Sequence, residues 1–91
     1  MSNVISRMYK VAATTTPTQV CAANPNRNSI SLKADSGHTV IITHAQNTPI
    51  GDGYPVSDVE PHEGDTTQGE LWVQVVSTPA VLYVWENSVE E

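Results

Sequence analysis

The chain has 91 residues, 38% of them apolar, with one Cys, no Phe and a formal net charge of −6. One domain of this length buries roughly 60–65% of its unfolded surface, so its core is thin. Its four cations, Arg7, Lys10, Arg27 and Lys33, form no stripe that would argue for nucleic acid, and no apolar run nears the roughly 20 residues of a membrane span.

The first ten residues, MSNVISRMYK, contain no continuous apolar stretch of the signal-peptide kind. Residues 1–13 are expected to be an N-terminal arm or first strand, residues 14–87 a β-domain and 88–91 an acidic tail. SRMYKVAA and TQVCAA read as strands flanking TTTPT. Cys21, with no second cysteine to bridge, suits a reducing compartment or an assembly that needs no staples, and the expectation is a soluble protein made in a cytoplasm. NPNRN is turn chemistry: Pro25 fixes φ, while Asn24, Asn26 and Asn28 bond to their own backbone.

It leads into SISLKA, where Ile30, Leu32 and Ala34 share one face and Ser29, Ser31 and Lys33 the other. The DSG turn at 35–37 then predicts a hairpin to HTVIITH. Residues 46–53, with Pro49, Gly51 and Gly53, read as a loop, and YPVSDVE as an edge strand, because Pro55 cannot donate to a ladder. Pro61–Gly69 reads as another loop. LWVQVV and AVLYVWE form a second expected hairpin, joined by STP. Six to eight short strands with frequent turns predict an all-β fold, a small antiparallel β-sandwich or jelly-roll-like barrel.

Two features stand out from this pattern. Every cation precedes residue 34 and every one of the ten acids follows it, which suits either an acidic solvated surface or an electrostatic match between unlike surfaces. The strands at 71–76 and 80–86 are apolar on both faces, whereas a lone sandwich in water shows one polar face. Their second face calls for a cover, supplied by the N-terminal segment or by another copy of the chain. Trp72, Val76, Leu82, Val84 and Trp85 are the candidate interface between copies.

Catalytic chemistry is hard to find. His38 and His44 are six residues apart on one strand, about 20 Å by strand rise, so they cannot share an ion. His62 with Glu60, Glu63 or Asp65 has no recognised zinc or EF-hand spacing. Cys21 has no basic neighbour in its strand to make it a nucleophile. GDG at 51–53 precedes no helix that could present a phosphate site. The expectation is a protein with no enzymatic activity, cofactor or metal. Trp72, Tyr83 and Trp85 read as core or interface, with a sugar-stacking platform as the alternative.

The succession AANPNRNSISLKA, TVIITH, a Gly/Pro-rich loop, GELWVQV and AVLYVWE resembles small virion proteins of tailed bacteriophages, of the head decoration (cement) or head-fibre type. The likeness runs from about residue 11 to residue 86, and the acidic DVEPHEGD departs from the family's loop at that place. The resemblance implies a non-enzymatic β-protein on the capsid surface, made in the host bacterial cytoplasm. It would bind the major capsid protein as a homotrimer. Arg7, Met8, Tyr9 and Lys10 are the expected capsid contact, since the N-terminal segment holds half of the positive charge. The alternative is a receptor- or glycan-binding module of a fibre or tail accessory protein.

Overall fold

A computed structural model describes residues 3–46, 51 and 53–90. Its strands are β1 (Asn3–Ala13), β2 (Thr18–Cys21), β3 (Arg27–Ala34), β4 (Thr39–Thr43), β5 (Tyr54–Ser57), β6 (His62–Asp65), β7 (Leu71–Gln74) and β8 (Ala80–Glu90). They form two four-stranded antiparallel sheets, ordered β1-β8-β3-β6 and β2-β7-β4-β5. This order is that of an eight-stranded jelly roll, in which every step along the chain except β4 to β5 crosses between two facing sheets.

Alternation builds the core. Ile30, Leu32 and Ala34 of β3 meet Val40 and Ile42 of β4, Leu71 and Val73 of β7, and Leu82 and Val84 of β8, all buried. Leu82 and Val84, expected at an interface between copies, therefore lie in the interior of the single chain. A period-two pattern shows that a strand has two faces but not which one is inside.

Neither expected hairpin forms. β3 lies in the first sheet and β4 in the second, and β7 and β8 are likewise separated. The DSG and STP turns carry the chain across the sandwich instead of folding a strand back on its neighbour. Of consecutive strands only β4 and β5 pair, with Ile41 opposite Pro55 on the sheet edge. The expected loop at 61–69 contains β6, which pairs with β3. Its register shifts between Ile30 opposite Asp65 and Leu32 opposite His62, a bulge accommodated by Gly64 at φ +67°.

The described residues leave the outer face of β8 half uncovered. β1 pairs beside β8 over its full length, from Asn3 opposite Glu90 to Ala13 opposite Ala80, and does not lie over its outer face. On the second sheet, Gly53 packs over β4: a Cβ there would overlap the Ile41 side chain and stand 2.8 Å from the Ile42 carbonyl oxygen.

Candidate functional site

At one end of the sandwich, Arg27 leaves the NPNRN turn pointing inward and is only 1% exposed. Its Nε donates to Glu86 Oε2 at 2.7 Å. Nη1 donates to the carbonyls of Thr67 (3.1 Å) and Gly69 (3.0 Å), and Nη2 to that of Ala22 (2.8 Å). One guanidinium thus ties the turn after β2, the β6–β7 connection and β8 together. A buried charge with this many partners positions the chain. It is a structural anchor, and it removes Arg27 from the cations able to meet a partner.

A second cluster lies along β5 and β6. His62 Nε2 sits 2.5 Å from Asp65 Oδ2, and Asp65 Oδ1 accepts the Thr67 N–H at 2.8 Å. Residues three apart in a regular strand face opposite ways; the Gly64 bulge brings these two together. The hydrogen bond from His62 holds the Asp65 carboxyl below its ordinary range. The Tyr54 ring lies tilted against that of His62, with centroids 4.9 Å apart, and its burial pushes the phenol up to about 12. Burial also shifts the Cys21 thiol up from its ordinary value. Among the described residues, no group of three or more His, Cys, Asp or Glu could hold a metal ion. The contacts of this cluster link β5 of the second sheet to β6 of the first.

The outer face of the first sheet is different. Tyr83 and Trp85 alternate with the buried Leu82, Val84 and Glu86, so β8 turns both aromatic rings outward, 46% and 49% exposed. Met8, 78% exposed, stands opposite Trp85, and Lys10 opposite Tyr83. On the other flank, Ser31 faces Trp85 and Lys33 faces Tyr83. The result is two cross-strand rows, Lys10–Tyr83–Lys33 and Met8–Trp85–Ser31. Shallow grooves run beside them, one of about 210 Å³ reaching Pro61 and Glu63 and one of about 270 Å³ between Met8, Lys10 and Tyr83. Apolar side chains of this size, half uncovered on one sheet face, make a candidate interaction surface, and two lysines give it a charge opposite to that of the whole molecule.

This arrangement divides the expected contact residues. Met8 and Lys10 lie on the outer face. Tyr9 faces the other way, opposite Val84, packs against the core and donates its hydroxyl to the Val20 carbonyl at 3.2 Å, so it cannot act as an external anchor. Burial pushes its phenol to about 12 as well. Arg7 lies on that inner side with its guanidinium 5.7 Å from the Tyr9 ring centre. The proposed interface between copies divides too: Trp72 is half-buried on the second sheet, Val76 is 77% exposed at the β7–β8 connection, and only Trp85 lies on the aromatic face. Tyr83, expected as core, interface or sugar platform, and Lys33, absent from both expected sets, complete that face. Their signal was the alternation of β8 and β3, once the buried side of each was known.

Comparison with known protein families, characterised proteins and solved structures finds no match for this chain.

Proposed function

We propose that this chain is a non-enzymatic virion protein of a tailed bacteriophage. It decorates the outside of the head and docks through the outer face of the β1-β8-β3 sheet. The observation that carries the reading is the uncovered Met8–Tyr83–Trp85 cluster between Lys10 and Lys33. The sequence resemblance supplies the capsid; the face supplies the means of holding it. Half-exposed, the two rings offer roughly 200 Å² for burial, worth about 5 kcal/mol before the cost of association is subtracted.

That is a weak contact for one copy. Assembled as a trimer, the protein would present three such faces to symmetry-related capsid subunits, and linked weak contacts multiply. The action is mechanical: a clip spanning neighbouring capsomers raises the work needed to part them under the outward push of packaged DNA. The experiment is co-sedimentation with undecorated heads, alongside light scattering, which should give about three times the 9.8 kDa chain mass. A strict monomer that stays in the supernatant would end this reading.

One observation favours a second reading. Two exposed aromatics, two residues apart on one sheet face, also make a stacking platform for sugar rings, as a glycan-binding module of a fibre would need. Glycan-array binding quenched by Tyr83→Ser, without head binding, would select it.

A further inference from the structure

The two sheets present four edges, β1 and β6 in the first and β2 and β5 in the second. Three are ill suited to receiving another strand. β6 has four residues and a bulge, β5 has four and contains Pro55, and β2 has four with a register shift. Short, kinked or proline-bearing edges are how sheets avoid unwanted pairing. β1 has none of these protections: it runs eleven residues, pairs with β8 without a register shift and contains no proline. In an antiparallel ladder about half of its backbone groups point away from β8. Among the described residues, no main-chain group of 3–13 bonds to any strand but β8.

The side chains along this edge say what it would accept. Val4, Ile5 and Met8 are exposed, and the segment carries Arg7 and Lys10 with no acid. Arg7 lies on the inner side and Lys10 on the outer, as residues three apart in a strand must. Two β1 strands side by side would bring four cations together with no acid on either strand, so a second copy is disfavoured at this edge. On the inner side there is room: a cleft of about 450 Å³ between β1 and β2 is lined by Arg7, Tyr9, Gln19, Cys21, Asn24 and Glu86.

We infer that the free edge of β1 is a strand-addition site for an extended acidic segment of another protein, carrying two carboxylates three residues apart. One carboxylate meets Arg7 on the cleft side and the other Lys10 on the outer side, while an apolar residue between them packs on Met8. Main-chain hydrogen bonds supply affinity, and the two carboxylates supply register and choice of partner. This inference rests on the free main-chain edge of β1; it shares Met8 and Lys10 with the docking face of the head-decoration reading, and the N-methylated peptides and edge-amide exchange separate the two.

The test uses the full chain and a capped eight-residue peptide of valine and threonine with two glutamates three residues apart. Its counterparts carry lysines in place of the glutamates, or N-methyl groups on alternate amides. Fluorescence anisotropy at low salt should show the glutamate peptide binding and the lysine peptide binding at least about tenfold more weakly. Methylating one of the two alternate sets of amides should abolish binding, and the protein double variant Arg7→Ala/Lys10→Ala should bind about tenfold more weakly while its circular dichroism is unchanged. Hydrogen exchange should slow at alternate amides of 3–13. Equal binding of the two peptides, no binding at all, protection located elsewhere, or a dimer whose β1 amides are already protected would each overturn the inference.

Discussion

Removing the Arg27 guanidinium should come close to unfolding the domain. Its four donated hydrogen bonds reach one carboxylate and three main-chain carbonyls, so Arg27→Met strands the Glu86 charge and leaves the carbonyls of Ala22, Thr67 and Gly69 without their donor. Breaking a buried pair by removing one partner costs about 3–5 kcal/mol. A domain of this length has roughly 5–14 kcal/mol in total. At roughly 4–8 °C per kcal/mol, the midpoint of thermal unfolding should fall by roughly 12–40 °C. Glu86→Leu should also be costly, since it leaves the guanidinium buried without its counter-charge. The double variant Arg27→Met/Glu86→Leu removes both charges, and an apolar pair can replace a buried ion pair at little net cost. It should therefore lose at least about 2 kcal/mol less than the sum of the singles. Urea unfolding followed by tryptophan fluorescence and by circular dichroism measures all three. An Arg27→Met variant within about 1 kcal/mol of the parent, or a double variant whose loss equals the sum, would refute the anchoring role.

Two other perturbations follow from the same geometry. Gly53→Ala should cost about 1–3 kcal/mol, because the new Cβ meets the Ile42 carbonyl of a central strand; Gly64→Ala meets no atom within 4 Å and should cost only about 1 kcal/mol, from its φ of +67°. Denaturant midpoints in the reverse order would contradict the packing described for β4. Tyr9 and Tyr54 ionise near 12 in the folded chain, above the ordinary value of 10.0. The unfolded chain therefore loses these protons first, and the stability they contribute, complete below pH 10.0, should drain away as pH rises toward 12. Absorbance titration of the phenols alongside unfolding at stepped alkaline pH checks this, and a flat stability profile across that window would speak against burial of either hydroxyl.

Much of the architecture was legible because alternation is a local signal. Ile30, Leu32 and Ala34 mark β3 by themselves, and Pro55 marks β5 as an edge. Pairing was not legible in this way. A short turn such as Asp35–His38 closes a hairpin when the next strand lies alongside, and crosses a sandwich when it does not; the choice is made by distant strands. β6 was missed because HEGD has no apolar alternation and is held by a glycine bulge. Arg27 stood among turn residues as one cation of four, and its partner lies 59 residues away. The two-faced pattern of β8 did point to the aromatic face, although it could not tell Leu82 and Val84, which are core, from Tyr83 and Trp85, which are exposed.

The proposed docking of this face on a phage head is tested by co-sedimentation of face variants with undecorated heads. Tyr83→Ser/Trp85→Ser removes the two half-exposed rings without opening the core, so its thermal midpoint should stay within a few degrees of the parent. Its binding should fall at least about tenfold, the loss expected when two central aromatic anchors are removed. Lys10→Ala/Lys33→Ala should weaken binding less, and mainly at low salt. A folded Tyr83→Ser/Trp85→Ser variant that sediments with heads as fully as the parent would contradict the account.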